Sequence, residues 1–134
     1  MVRPDQTTVV LDAGAVIGLA RGNIRLRALI ADAQQRGDDV VVPVVVIAET
    51  VRGNGPRDAT INLTVGQFAP HRPLEESTAR LAGALLGAAG SNATVDAIIA
   101  AEAIQRRPSA LLTGDPVDLA LLLDGHAGVE LERI

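Results

Sequence analysis

The sequence comprises 134 residues with a formal net charge of −4, and 48% of its residues are hydrophobic although only 1% are aromatic. It contains no cysteine, which excludes disulfides and thiolate metal sites, and all twelve basic residues are arginine, which excludes mechanisms that need a lysine. The acidic balance argues against broad electrostatic attraction to nucleic acid, although bound cations can reverse the sign of a local site.

The length predicts one domain, residues 1–134, with a core of Val, Leu, Ile and Ala. We find neither the pattern of a signal peptide nor an apolar run of about 18 residues, so we expect a cytoplasmic protein without a membrane span. No internal repeat, low-complexity tract or long linker divides the chain.

The first half of the chain predicts two strands and four helices. A β-branched apolar run at residues 7–14 (TTVVLDAG) predicts a buried strand, and residues 39–43 (DVVVP) predict the second. Helical spacing, closed in three cases by a glycine, predicts helices over residues 15–22, 24–37, 44–53 and 57–68.

The second half of the chain predicts three more strands and three more helices. Residues 69–74 (APHRPL) predict a weak third strand flanked by prolines, and residues 109–115 and 128–134 predict two further strands. Helices are predicted over residues 74–90, 94–107 (with Thr94 as the N-cap) and 116–123. Strands that alternate with helices and are uniformly apolar indicate a parallel sheet covered on both faces. The predicted fold class is α/β, a three-layer α/β/α sandwich with a mostly parallel sheet of four to five strands.

Two acidic residues directly follow predicted strands. Asp12 ends the first strand, and Asp115 ends the strand that begins at Ser109. In open parallel sheets, ligands bind in the crevice beyond the carboxyl ends of the strands. If both strands are parallel, the two carboxylates lie at the same edge of the sheet, which indicates a site there.

Glu49 and Asp96 are acids in apolar surroundings. Glu49 lies on a predicted helix that is otherwise nearly all apolar. Asp96 opens the helix over residues 94–107, and its own face continues as alanine, whereas Glu102 and Arg106 fall on a more polar side. A buried acid must be paired, protonated or bound to a metal.

Local roles explain the same acids one at a time. Asp12 can cap the helix after it, and Asp115 and Asp118 fit the N-cap and N3 positions of a helix, where the dipole favours acids. Glu49 can pair with Arg52 on a surface stripe. Four acids at similar points of one parallel topology are less easily explained as four independent local features.

Four segments resemble those of PIN-domain ribonucleases, and most closely those of the VapC-type toxins of bacterial toxin–antitoxin pairs. They are VVLDAGAVIGL, VVPVVVIAETVRG, TVDAIIAAEA and LLTGDPVDLALL, in this order along the chain. The resemblance implies a PIN-like fold and a metal-dependent endonuclease that cleaves RNA. The acids to which it assigns catalysis and metal binding are Asp12, Glu49, Asp96 and Asp115, with Asp118 as an accessory metal ligand.

The segment after Asp12 departs from the family's pattern. Many relatives place a hydroxyl or amide residue soon after the first aspartate, whereas Ala13 and Gly14 offer no side-chain hydrogen bond. Thr113, shortly before the last acids, does retain a hydroxyl.

A cluster of oxygen ligands selects hard divalent ions, so the expected cofactor is Mg²⁺ or Mn²⁺. Such an ion binds substrate phosphates and activates water for hydrolysis of an RNA phosphodiester bond. We expect contacts to RNA from scattered arginines, because Phe68 is the only aromatic residue. His71 and His126 are interpreted as surface residues. The arginines that we single out for these contacts are Arg21, Arg25, Arg27 and Arg52.

The resemblance also implies protein partners. We expect a cognate antitoxin that covers the acidic site and inserts an arginine, and we expect the toxin to form a homodimer. The Ala- and Leu-rich helices that contain residues 24–33 and 45–51 should leave apolar grooves for an amphipathic partner segment.

Two other functions remain open. A phosphoacceptor receiver domain shares the parallel sheet and the acidic edge, but it would require a lysine that the chain lacks. A catalytically silent PIN-like module that binds RNA or protein is the main alternative, and metal-dependent nuclease activity would distinguish the enzyme from it.

Overall fold

The structure is a computed structural model that describes residues 6–134, and its strands form one sheet. The strands are β1 (Thr8–Leu11), β2 (Asp39–Val41), β3 (Ser109–Thr113) and β4 (Val129–Arg133). They lie in the order β2-β1-β3-β4, and each neighbouring pair is parallel. The predicted α/β class and parallel sheet are confirmed, with four strands.

Seven helices connect and cover the strands in residues 6–134. Two lie between β1 and β2, four between β2 and β3, and one between β3 and β4. In chain order they are α1 (Ala13–Ala20), α2 (Ile24–Gln35), α3 (Val44–Thr50), α4 (Gly55–Gly66), α5 (Glu76–Ala89), α6 (Thr94–Gln105) and α7 (Pro116–Leu122).

The direction in which strands are added to the sheet reverses at β1. The chain goes from β1 to β2 on one side, then passes back across β1 to β3 and continues to β4. Because parallel crossovers are right-handed, α1 and α2 lie on one face of the sheet, and α6 and α7 lie on the other. The helices that follow β1 and β3 therefore diverge, and a crevice opens at the carboxyl ends of these two strands.

The central strands β1 and β3 are buried on both faces. Val10, Leu11, Leu111 and Leu112 are each at most 2% exposed. β4 lies at an edge of the sheet, and its side chains are either partly buried or exposed. Uniformly apolar strands thus occupy the centre of the sheet, where helices cover both faces.

The prediction of a strand over residues 69–74 is wrong, because this segment after α4 is irregular. Pro70 and Pro73 have no amide hydrogen to donate to a neighbouring strand, so the segment cannot form a regular ladder. The prediction that Thr94 is an N-cap is also wrong. Thr94 is the first residue of α6, and Ala93 occupies the cap position without a side-chain hydrogen bond.

No single helix in residues 6–134 has the length and apolar character needed to cross a membrane. α5 and α6 meet the same criteria of length and composition only as a pair, bent by 115°. In this fold α6 packs against α5, β1 and β3, and most of its residues from Ala97 to Ile104 are buried.

A buried acid, Asp58, organises the loop between α3 and α4. Asp58 is 1% exposed, and its carboxylate accepts hydrogen bonds from the amides of Arg52 and Asn54, both at 3.0 Å, and from the Arg57 guanidinium at 2.6 Å. Burial by itself would raise the pKa of Asp58, but these donors lower the pKa below its ordinary value of 3.8. An ionised carboxylate therefore holds the loop that follows α3.

We expect Asp58→Asn to lower the Tm at neutral pH, because it removes the charge that Arg57 and two amides stabilise. The folded-state pKa lies below the unfolded one, so this stabilisation is complete above the unfolded pKa and is lost as the pH falls through the folded pKa. The Tm difference between parent and variant should therefore shrink from about pH 6 to about pH 3. Asp124→Asn, at an exposed position, is the control. A difference independent of pH would contradict this assignment.

Candidate functional site

The two acids predicted at the sheet edge flank the crevice between β1 and β3. Asp12 directly follows β1, and Asp115 follows β3 after Gly114. Leu11 of β1 pairs with Leu112 of β3 in the parallel register, so the two strands end next to each other. The structure therefore brings both acids to the point where the strand order reverses.

Asp12 is held in place by two hydrogen bonds and is only 9% exposed. Its Oδ1 accepts a hydrogen bond from the Ala15 amide at 2.9 Å and so caps α1. Its Oδ2 accepts one from the Gly114 amide at 3.3 Å, across the crevice. The N-cap explanation of Asp12 is confirmed, but the same carboxylate also connects β1 to the turn between β3 and α7.

Asp115 occupies the N-cap position of α7, as its sequence context predicted, but its side chain forms no capping hydrogen bond. Its amide donates to Thr113 Oγ1 at 2.8 Å, and its side chain is exposed. Asp118, in the first turn of α7, is exposed as well. Capping therefore does not account for the Asp115 carboxylate, which remains available to a ligand.

Glu49 lies near the end of α3 and is partly buried. Within residues 6–134 no ion pair joins it to Arg52, whose guanidinium donates to two nearby backbone carbonyls, each at 3.1 Å. Burial raises the pKa of Glu49, the charges of Asp96 and Asp12 raise it further, and Arg52 lowers it. Glu49 is therefore influenced by the other acids and is not part of a surface ion pair.

Asp96, in the first turn of α6, connects these acids electrostatically. Burial raises its pKa most, followed by the charges of Asp118, Asp115 and Asp12. The charges of Asp118 and Asp115 both raise the pKa of Asp96, so both acids of the turn after β3 lie within electrostatic range of it. Because Asp12 and Asp96 also act on Glu49, all five acids belong to one group, which we call the acidic cluster.

The donor chemistry of the acidic cluster fits a hard divalent cation. All of its donors are carboxylate oxygens, which Mg²⁺ and Mn²⁺ prefer, and a cation would relieve the repulsion among them. In residues 6–134, however, no group of three or more His, Cys, Asp or Glu side chains is arranged to hold a metal ion. Coordination would require these side chains to move closer together, and the metal assignment stays a prediction.

Glu102 and His71 are more buried than the sequence pattern indicated. Glu102 is 6% exposed, 3.7 Å from the Arg106 guanidinium, and burial raises its pKa although Arg106 lowers it. His71 is partly buried, and its Nδ1 has no hydrogen-bond partner within the described residues. Glu102 lies about 9 Å along α6 from Asp96, outside the acidic cluster. The nearly continuous apolar composition of α6 was the signal that this helix is buried on several sides.

Comparison with known proteins identifies a family. The model of the PIN domain matches residues 9–117. No curated protein matches the sequence. Among solved structures, the chain is similar to VapBC2 from Rickettsia felis bound to a DNA fragment from their promoter, with a TM-score of 0.73 and 12% identity over 96% of this chain and 99% of that chain.

Two further solved structures are similar over nearly their whole length. FitAcB from Neisseria gonorrhoeae has a TM-score of 0.68 and 20% identity, over 92% of this chain and 95% of that chain. VapBC-5 from Mycobacterium tuberculosis, a member of the VapBC family of toxin–antitoxin systems, has a TM-score of 0.61 and 27% identity, over 96% of this chain and 99% of that chain.

With a chelator present, Asp96→Asn should melt at a higher temperature than the parent, because it removes one repelling charge with little change in side-chain size. The raised pKa of Asp96 determines how the Tm difference changes with pH. Asp96 binds a proton more readily in the folded state than in the unfolded chain, so the parent loses stability as the pH rises through the folded pKa. The Tm difference should therefore grow from about pH 4 to about pH 7. Asp124→Asn should show no such change, and an Asp96→Asn variant that melts below the parent at neutral pH would count against the cluster.

Proposed function

The chain belongs to the PIN domain family, and from this premise we propose that it is a Mg²⁺- or Mn²⁺-dependent ribonuclease and the toxin of a toxin–antitoxin pair. The observation that carries the proposal is the acidic cluster at the reversal of strand order. Desolvation and mutual repulsion raise the pKa of Glu49 and Asp96 there. The proposed enzyme is a homodimer that acts in the cytoplasm.

Asp12 is the fixed point of the proposed site. Its two hydrogen bonds use one acceptor position on each oxygen, so each oxygen retains another. Asp115 and Asp118 are exposed on the first turn of α7 and can adjust to a ligand. Burial and neighbouring acids raise the pKa of Glu49 and of Asp96, and a bound cation would offset this repulsion.

The acidic cluster would hold the divalent ion. When bound, such an ion supplies positive charge for the phosphate oxygens and activates water for hydrolysis of the RNA phosphodiester bond. The chain's own contribution is to hold Asp12 in place after β1 and to supply further acids from α3, α6 and the start of α7. Those acids are Asp12, Glu49, Asp96, Asp115 and Asp118.

RNA would contact arginines around the crevice, because the chain has no aromatic platform. Arg25 donates to the Arg133 carbonyl at 3.3 Å, and Arg52 donates to two carbonyls near the end of α3, so both guanidinium groups have preferred positions. The candidate arginines, all of them exposed, are Arg21, Arg25, Arg27 and Arg52.

The proposed antitoxin binds a groove between α2 and α4. This groove has a volume of about 400 Å³, and its lining includes Leu19, Ile30, Leu63 and Phe68, with Arg27 also present. Leu63 is 72% exposed, so an apolar partner side chain would cover it. The walls of this groove are α2 and α4, and α3, which the sequence pattern also indicated, does not line it. One similar structure, VapBC-5, belongs to a family of toxin–antitoxin systems, which supports a partner of this class.

A second candidate is a catalytically silent PIN-like module that binds RNA or protein. The arrangement of the acids favours it in one respect, because no three of them in residues 6–134 are arranged to hold a metal ion. Cleavage and metal response separate the two candidates, since the silent module requires neither.

Purified protein should cleave RNA with Mn²⁺ or Mg²⁺ and not with a chelator. Asp115→Asn should abolish cleavage, because Asp115 follows β3 directly after Gly114 at the crevice, whereas Asp118→Asn, one turn further along α7, should leave measurable activity. Mn²⁺ should raise the Tm of the parent with increasing concentration, because an ion that binds only the native state stabilises it. Asp124→Asn is the matched control. Absence of cleavage together with an unchanged melting curve in Mn²⁺ would favour the silent module.

We expect a small antitoxin to be encoded next to the gene for this chain, and that antitoxin should copurify with the protein and inhibit it. Leu63→Glu should weaken this complex by at least about 10-fold, because a charge would be buried against the apolar partner segment. Leu121→Glu, also exposed but on α7 outside the groove, is the control. Binding would be measured by titration calorimetry of the purified pair. Equal affinity of the parent and Leu63→Glu would place the partner elsewhere.

A further inference from the structure

Gly14 and Gly114 bring two backbone segments into direct contact across the crevice. Gly14 lies in the first turn of α1, and Gly114 lies between β3 and α7. A Cβ atom on Gly14 would lie 3.2 Å from the Gly114 nitrogen and 3.3 Å from its Cα. Both contacts are with backbone atoms, which cannot rotate away as a side chain could.

The nitrogen that such a Cβ would approach is the one that holds Asp12. The Gly114 amide donates to Asp12 Oδ2 at 3.3 Å, and the added Cβ would also lie 3.4 Å from Asp12 Oδ1. A side chain at position 14 would therefore crowd the donor of this hydrogen bond and touch the other oxygen of the carboxylate that accepts it. The absence of a side chain at Gly14 allows the carboxylate to reach across the crevice.

Two glycines on α5 provide controls for the contact at Gly14. Gly83 and Gly87 lie on α5, and a Cβ on either would have no atom within 4 Å. Replacing them with alanine tests only the preference of a helix for alanine over glycine. They are matched controls for Gly14, because all three positions are helical.

We propose that Gly14 is a positioning residue: its contact with Gly114 sets the orientation of the Asp12 carboxylate and the path of the turn that leads to Asp115. The effect on RNA cleavage rests on the proposed function, whereas the effect on the hydrogen bond does not. Gly114 lies between Thr113 and Asp115, and the Asp115 amide donates a hydrogen bond to Thr113 Oγ1. A displacement of Gly114 would therefore move Asp115 as well.

Amide hydrogen exchange at Gly114 tests the positioning directly. Exchange in Gly14→Ala should be at least about 10-fold faster at this amide than in the parent, because its acceptor is displaced. Gly83→Ala should leave it unchanged, and Asp12→Ala should accelerate it, since the acceptor is gone. Unchanged exchange at this amide in Gly14→Ala would overturn the proposal.

A second substitution keeps the test decisive if Gly14→Ala does not fold. A Cβ on Gly114 would lie 3.8 Å from Gly14 Cα and 4.0 Å from Ile134 Cδ1, which are ordinary contacts. Gly114→Ala should therefore fold and keep its amide protected, whereas Asp12→Ala should not protect Gly114. Loss of protection in Gly114→Ala, or retention of it in Asp12→Ala, would refute the assigned geometry.

Cleavage and Mn²⁺ binding test the functional consequence. Gly14→Ala should lower kcat by about 10- to 100-fold with little change in the KM for RNA, and it should weaken Mn²⁺ binding. Gly83→Ala should match the parent in both. If the parent cleaves no RNA, the proposed function fails while the exchange experiment still decides the role of Gly14. If the parent cleaves and Gly14→Ala cleaves equally well, the positioning role is refuted.

Discussion

The Asp12 carboxylate joins the two halves of this fold at the point where they diverge. It accepts one hydrogen bond from Ala15 at the start of α1 and another from Gly114 after β3. Right-handed crossovers send α1 and α7 to opposite faces of the sheet, so a crevice forms between them. A single buried side chain therefore spans this crevice. Gly14 contributes by leaving space for this arrangement.

Buried carboxylates serve two different purposes in this chain. Asp58 receives two amide donors and a guanidinium, which lower its pKa, so its charge stabilises a loop. Glu49 and Asp96 face other acids, and their pKa values are raised, so their charges oppose folding. A raised pKa does not by itself mark a site, since burial also raises that of Glu102, which is close to Arg106. The convergence of acids from separate elements at one crevice distinguishes the functional group.

The chain shares its fold with proteins whose sequences have largely diverged. Identities of 12% to 27% accompany TM-scores of 0.73 to 0.61 over more than nine tenths of the chain. Such divergence is compatible with a core of interchangeable aliphatic residues, because burial constrains their volume more than their identity. The crevice depends on the topology of the sheet, so it can persist while surface residues change.

The sequence alone determined the order of most strands and helices, the parallel sheet and all members of the acidic cluster. These features follow from local periodicity and from acids placed directly after strands or within apolar helices, as at Asp12 and Glu49. Tertiary structure decided what depends on distant neighbours. Residues 69–74 resembled a strand but remain irregular, with prolines that cannot donate to a ladder. Glu102 is buried because α6 is covered by elements far away in sequence. The backbone contact of Gly14 with Gly114 joins residues 100 positions apart, and no local pattern encodes that distance.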